Sequence, residues 1–121
     1  MVFNTGAALL DAIVLAVVDK EHEGTYGYKI TQDVRTVIEL SESTLYPVLR
    51  RLQKDECLDT YDQQFNGRNR RYYRITEKGN AQLNLYKNEW LAYSSKVTGI
   101  FTGKTVKNRT RAKCNFVKAN Y

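Results

Sequence analysis

Four arginines stand close together around an Asn-Gly pair in the second half of the chain. They fall within seven residues and are separated by polar and aromatic side chains: Arg68, Arg70, Arg71 and Arg74. A guanidinium group stays charged at physiological pH and suits a phosphate backbone. Arg68 and Arg70 have no acid beside them in the sequence, so we expect them to face phosphates. Arg74 is expected to pair instead with an acid of a neighbouring segment.

The residue types for catalysis or metal binding are scarce. His22 is the only histidine, and Cys57 and Cys114 are the only cysteines and form no CxxC pair. Four metal ligands cannot be assembled from this set in one chain, so we expect no metal and no cofactor. A phosphate-cradling glycine loop and a distinctive carboxylate pair are also missing from the sequence, which argues against an enzyme. The two cysteines are expected to be reduced and structural.

The length and composition are those of one folded domain. Of the 121 residues, 42% are hydrophobic and 26% are charged, as in ordinary globular proteins. The longest apolar run, residues 12–18, is far shorter than the ~20 residues that a bilayer span requires, and the first residues lack the basic region of a signal peptide. We therefore expect no membrane partner and a cytoplasmic location.

The net charge of +6 is concentrated at the C-terminal end. Residues 1–101 carry 13 basic and 13 acidic side chains, whereas residues 102–121 carry only basic ones. This segment has no apolar periodicity, which predicts a disordered basic tail that could attract phosphates nonspecifically. A merely solvated tail, or a remnant of cloning or of another reading frame, is the alternative.

Three helices are predicted in the first half of the chain. Apolar residues at helical spacing predict a first, largely buried helix over residues 7–18 and a second over residues 25–37, with Thr25 as a possible N-cap. A third is expected from about Ser43 to Lys54. Pro47 then lies in its first turn or just beyond, where the missing N–H costs little.

A hairpin and a long helix are predicted next. The segments 58–62 and 71–75 alternate in polarity and flank Asn66-Gly67, which predicts two strands joined by a tight turn. In the helix that follows, six residues step by three and four, as in a coiled-coil seam: Leu83, Tyr86, Trp90, Tyr93, Val97 and Ile100. We expect this seam to form a dimer interface. Leu85, Leu91 and Ala92 lie off the seam and are expected to pack on the rest of the domain.

Three helices followed by a hairpin are the elements of a winged helix-turn-helix. The expected fold class is therefore α+β, mostly α-helical, with a long C-terminal dimerisation helix. The third helix of this fold enters the major groove, and its first turns should meet base edges and phosphates. These turns carry Glu42, Ser43, Thr44 and Tyr46. Ser41, Ser43 and Thr44 are all hydroxyl N-cap candidates, so Ser43 and Thr44 could equally be helix caps.

Arg50 and Arg51 lie further along the third helix. Neighbouring residues of a helix point in different directions, so only one of the two can face DNA. Arg50 is our candidate for that contact.

Three stretches of sequence together are far more specific than a generic helix-turn-helix pattern. They are Gly27-Tyr28, then Thr44-Leu45-Tyr46-Pro47-Val48-Leu49-Arg50-Arg51-Leu52, and then Gly67-Arg68-Asn69-Arg70-Arg71-Tyr72-Tyr73-Arg74-Ile75-Thr76-Glu77-Lys78-Gly79. They resemble the PadR family of bacterial transcriptional regulators over about residues 7–101. The last helix, with Trp90, is similar to that of the compact subgroup that includes multidrug-responsive regulators.

The resemblance implies a homodimer joined through the C-terminal helix. Such a dimer binds double-stranded DNA at an inverted-repeat operator, usually as a repressor. The chain then divides into a DNA-binding domain (residues 5–76), a dimerisation helix (77–101) and the tail (102–121). Tyr28 and Tyr46 correspond to family positions near the DNA backbone. The wing contacts are expected from Arg68, Asn69, Arg70 and Arg71.

Trp90 has two interpretations. An aromatic residue in a helical seam is usually part of a core. The resemblance instead implies that Trp90 stacks on a small planar aromatic or phenolic effector between the subunits. Tyr93 and Val97, which follow it along the seam, complete the expected effector site.

The residue after the third helix departs from the family pattern. Family members usually have glycine after the third helix, where this chain has Glu56; a left-handed backbone there would strain the glutamate. The chain could also be a DNA-binding protein of another kind, architectural or similar to a replication terminator, or a protein-binding dimer module. Footprinting separates these, because a regulator protects a palindrome and an architectural protein covers DNA with little sequence preference.

Overall fold

A computed structural model describes residues 6–103 of the chain. The elements are α1 (Ala7–Asp19), β1 (Thr25–Tyr26), α2 (Gly27–Val34), α3 (Glu42–Lys54), β2 (Leu58–Phe65), β3 (Arg68–Ile75) and α4 (Glu77–Thr102). The strands form one antiparallel sheet in the order β1-β3-β2. The expected winged helix-turn-helix, mostly helical with a long C-terminal helix, is confirmed. The predicted tail lies outside the described residues from residue 104 onwards.

The core lies between the first three helices and the inner face of the sheet. Each of these helices buries one apolar stripe, as its spacing predicts. The side chains with essentially no exposed surface are Val14, Leu15, Val18, Ile30, Val34, Leu45, Leu49 and Leu58. This compact unit continues into α4 as far as Lys87, and the rest of α4 belongs to a second unit.

The start of α2 differs from the prediction. Thr25 does not cap the helix: it lies with Tyr26 in β1, where the two residues pair with Tyr73 and Tyr72 of β3. Two consecutive β-forming residues place one side chain inward and one outward, and Thr25 is indeed buried while Tyr26 lies on the outer face. The helix therefore begins at Gly27, after Tyr26 as its N-cap residue, and ends at Val34.

Helix α3 begins at Glu42, close to the predicted start, and its cap is one of the predicted hydroxyl candidates. The backbone N–H of Thr44 donates to Ser41 Oγ at 3.3 Å, so Ser41 is the N-cap residue. Ser43 and Thr44 are thus inside the first turn, and both are exposed. Pro47 lies one turn further along and leaves α3 otherwise intact.

The end of α3 carries the strain expected at Glu56. Its φ is 67°, in the left-handed region. The backbone N–H of Glu56 donates to the Gln53 carbonyl and that of Cys57 to the Leu52 carbonyl, both at 2.9 Å, as in a Schellman motif. A glutamate in this conformation costs about 1 kcal/mol more than glycine would.

Two expectations for α4 were wrong. Leu83, placed in the dimer seam, is 2% exposed and packs in the core of its own chain, with Tyr86 partly buried against that core. Leu85, expected to pack on the domain, is 52% exposed, and Leu91, which lies in the second unit, is 61% exposed. A stripe with steps of three and four defines one face of a helix, but it does not say whether that face meets its own domain or a second chain.

Candidate nucleic-acid interface

A cleft opens beside the wing because β1 is so short. β1 pairs with only Tyr72 and Tyr73, so among the described residues the edge of β3 from Arg68 to Arg71 has no neighbouring strand on that side. The cleft lies between this edge, the start of α2 and α3, and has a volume of about 550 Å³. Its lining residues are Tyr26, Gly27, Tyr28, Tyr46, Asn69, Arg70, Arg71 and Tyr73.

The N-terminus of α2 forms one wall of the cleft. No side chain caps this helix end, so its first amides and the positive end of the helix dipole can attract an anion. A Cβ at Gly27 would lie 2.5 Å from the Tyr46 hydroxyl oxygen. Glycine therefore lets α2 approach α3 at this point. Tyr28, 58% exposed, accepts a hydrogen bond from Gln32 Nε2 at 3.1 Å.

Tyr46 contributes a hydroxyl group that stays protonated. Burial raises its pKa, and the nearby carboxylate of Glu42 raises it further. A phenol with a raised pKa is a hydrogen-bond donor at neutral pH and carries no charge that would repel a phosphate. Glu42 thus acts on Tyr46, one turn further along α3.

The hairpin tip has the expected turn. Asn66 and Gly67 both have positive φ, 53° and 78°, as a type I′ turn requires. Arg68 follows at the tip and is exposed. Arg70 is half-buried, and its guanidinium lies over the rings of Tyr26 and Phe65.

The acid partner in the wing belongs to a different arginine from the one predicted. Arg71 Nε lies 3.5 Å from Asp62 Oδ1, and both side chains are about half exposed. The two residues are directly opposite each other on β2 and β3, which brings their side chains to one face. Arg74 instead lies 4.7 Å from the ring centre of Tyr61.

The two arginines of α3 have different partners. Arg51 donates to both carboxylate oxygens of Asp11 in α1, at 2.8 Å each. This bidentate hydrogen bonding is the main cause that raises the pKa of Arg51. Arg50 is exposed on the same helix. The structure thus leaves Arg50 available and gives Arg51 an intramolecular role.

The cleft collects five of the predicted site residues: Tyr28, Tyr46, Asn69, Arg70 and Arg71. The others, Glu42, Ser43, Thr44, Arg50 and Arg68, do not line it. Sequence reasoning missed Tyr26, because residue 26 fell within the predicted second helix, and Phe65, because nothing in its own segment suggested a partner. Thr25 and Tyr26 are both β-forming residues, but two residues are too few to predict a strand such as β1.

Cys57 fits its expected structural role. It is buried, and burial raises the pKa of its thiol. Cys114 lies outside the described residues.

Among residues 6–103, no group of three or more His, Cys, Asp or Glu side chains could hold a metal ion. None of the helices in this part of the chain is both long enough and apolar enough to cross a membrane.

The second unit carries the predicted effector residues. The rings of Trp90 and Tyr93 lie 6.1 Å apart at 43° to each other. Trp90 and Ile100 are 40% and 79% exposed, and Val97 is partly buried.

Comparison with known proteins gives a consistent result. The family model of the PadR-like transcriptional regulators matches residues 14–85. A structure from Streptococcus mutans is similar with a TM-score of 0.75 and 36% identity, over 91% of this chain and 99% of that one. A PadR-like transcriptional regulator from Bacillus cereus gives 0.71 and 29%, over 79% and 94%.

Two further similar proteins are an uncharacterised sequence and a structure with bound DNA. An uncharacterised protein from Lysinibacillus sphaericus is 36% identical over 86 residues, which are 67% of this chain and 77% of that protein. PadR of Bacillus subtilis, solved in complex with operator DNA, has a TM-score of 0.56 and 22% identity, over 69% of this chain and 47% of that one. At that identity the likeness establishes the fold.

Proposed function

Because the chain belongs to the PadR-like family of transcriptional regulators, we propose that it is a homodimer that binds an inverted-repeat operator and represses transcription. Residues 5–76 form the DNA-binding domain in this proposal, residues 77–101 the dimerisation helix, and the basic tail adds nonspecific attraction to DNA. The Bacillus subtilis relative of the same fold binds operator DNA, which supports duplex DNA as the partner.

The cleft at the edge of β3 is the observation that carries the proposal. It combines the uncapped end of α2, the hydroxyl groups of Tyr28 and Tyr46, and the guanidinium of Arg70. Amides, neutral hydroxyls and a guanidinium are the donors that proteins use for a DNA phosphate. We assign the cleft to a backbone phosphate next to the groove that α3 enters.

In the proposed complex, the first turns of α3 recognise the DNA sequence. Ser43 and Thr44 are exposed, each with its hydroxyl within 3.3 Å of Ser41 Oγ, and Glu42 and Arg50 lie on the same helix. In this proposal these four residues meet base edges, while Arg68, Asn69, Arg70 and Arg71 neutralise or bind phosphates.

Selection of bound sequences from a random DNA pool tests the function class and yields the operator together. A regulator enriches a palindrome with half-sites one helical turn, about 34 Å, apart. Enrichment of no sequence, with strong binding to all duplexes, would favour an architectural protein. Absence of binding to any duplex would favour a protein-binding module.

We predict that Arg68→Ala weakens binding to every duplex and lowers the slope of log affinity against log salt by about 1, because one phosphate contact is lost. Ser43→Ala should leave the slope unchanged and alter the preference among operator variants. Lys78→Ala, an exposed cation on α4 that does not line the cleft, is the matched control. Salt titrations decide the matter, and an unaltered slope for Arg68→Ala would remove that residue from the DNA contacts.

We also propose that a small planar aromatic or phenolic effector releases the repressor by stacking on Trp90 between the subunits, with Tyr93 and Val97 at its edges. The proximity of Trp90 to Tyr93 supports an aromatic site. An effector that prefers one subunit separation by about 1–3 kcal/mol would lower operator affinity roughly 5- to 150-fold. Trp90 is the only tryptophan, so its fluorescence reports binding without a label.

The effector prediction is checked by titrating planar aromatic compounds and cationic dyes with and without operator DNA. A ligand that quenches Trp90 should also reduce operator binding, and Trp90→Ala should abolish its effect. If Trp90→Ala still responds to an active inducer as the unmodified chain does, Trp90 is a core residue.

A further inference from the structure

The guanidinium of Arg70 lies between two aromatic rings. Its central carbon is 4.0 Å from the ring centre of Tyr26 and 3.9 Å from that of Phe65. A cation so close to each ring face is held by cation–π attraction on both sides. Because the N–H groups of a guanidinium lie in its own plane, two covering rings leave its edge as the surface for hydrogen bonds.

The sheet register explains how three elements meet at this point. Tyr26 lies opposite Tyr72, and Phe65 lies opposite Arg68. Arg70 lies two residues from each of these β3 positions, on the same outer face, so both rings are its diagonal neighbours. Tyr26 comes from β1 and Phe65 from the end of β2, so the contact joins the wing tip to the strand that precedes α2.

The ring of Tyr26 is itself supported. It packs edge-to-face on Tyr72 at 5.7 Å between centroids, and Tyr72 stacks on Tyr61 at 5.3 Å. Arg74 covers the ring of Tyr61. The outer face of the sheet therefore carries a continuous row of rings and guanidinium groups, with Arg70 near the end that borders the cleft.

We propose that Tyr26 and Phe65 are positioning residues for DNA binding, which hold Arg70 in one orientation with its N–H edge available to a phosphate in the cleft. This inference rests on the proposed function. An arginine on a flexible stem loses rotamer freedom when it binds a phosphate, and one that is already held loses less. Tyr26 and Phe65 thus contribute to affinity without touching DNA.

Phe65→Leu tests the proposal at a position that is 46% exposed, so we expect the fold to tolerate the change. Operator affinity should fall about 3- to 10-fold, since one side chain must now be immobilised on binding. The salt slope should stay the same, because Arg70 keeps its charge. Phe65→Tyr keeps the ring and should retain the affinity of the unmodified chain.

A double-mutant cycle separates positioning from a direct contact. In an Arg70→Ala background, Phe65→Leu should have no further effect on operator affinity. An equal loss in both backgrounds would show that Phe65 acts independently of Arg70, and would overturn the proposal.

NMR of the DNA-free chain gives a readout that does not depend on the proposed function. The Arg70 side-chain protons should be shifted upfield by the two rings, less so in Phe65→Leu, and as in the unmodified chain in Phe65→Tyr. Unshifted Arg70 resonances would overturn the inference at once. If the shifts are intact and the chain binds no duplex, the proposed function fails and the positioning role with it.

Discussion

Replacing Gly79 by alanine is expected to destabilise the chain by about 3 kcal/mol, the upper end of the cost of forcing a methyl group into a packed site. Its new Cβ would overlap the carbonyl oxygen of Cys57 and lie 2.8 Å from Ile75 Cγ1. That carbonyl cannot move away easily, because it accepts the backbone N–H of Thr76 at 3.0 Å.

The surroundings of Gly79 make relaxation costly. Thr76 caps α4 by accepting the Gly79 N–H at 2.9 Å, and its own hydroxyl donates to the Glu56 carbonyl at 2.7 Å. The start of α4 and the end of α3 are therefore joined in one hydrogen-bonded cluster. Urea unfolding followed by circular dichroism measures the effect. Asn80→Ala, at the exposed next position, is the control, and a Gly79→Ala loss no larger than the control's would contradict this account.

The second large effect is expected from charges in the C-terminal half of α4. Val97→Glu combined with Ile100→Glu should give monomers, because two carboxylates per chain would face each other in the proposed seam. Linked binding of two half-sites commonly contributes about 10²- to 10⁴-fold. Operator affinity should therefore fall by at least about 100-fold, while affinity for an isolated half-site should change little.

Light scattering and DNA titration check this prediction together. Lys96→Glu, which introduces the same charge on α4 outside the seam, is the matched control and should remain dimeric. An unchanged dimer in the double variant would place the main interface elsewhere.

Local patterns predicted the helices and the hairpin well because each carries its own signal. The apolar spacing of α1 and α3, and the positive φ that Asn66-Gly67 favours, are properties of short segments. The two-residue strand β1 was missed, since its partner Tyr72 lies more than forty residues away. Pairing over that distance leaves almost no trace in two residues of sequence.

The candidate site was predicted in part for the same reason. Charge and residue type identified Arg70 as a wing cation, but its position between Tyr26 and Phe65 depends on the register of three strands. Arg50 was already the candidate on the third helix, but the partner of Arg51, Asp11, lies forty residues away and could only be found in the structure. Leu83 was misassigned for a different reason. The spacing of apolar residues cannot reveal that the first residue of the predicted seam packs in the core of its own chain.

The exposed edge of β3 has a consequence for solubility. An unpaired strand edge is a template for adding a strand from another molecule, and natural proteins protect such edges with charge. Here the edge carries Arg68, Arg70 and Arg71, so two copies approaching edge to edge would bring both sets of cations together. The charges that suit a polyanion therefore also oppose aggregation through the wing, and leave self-association to a different surface.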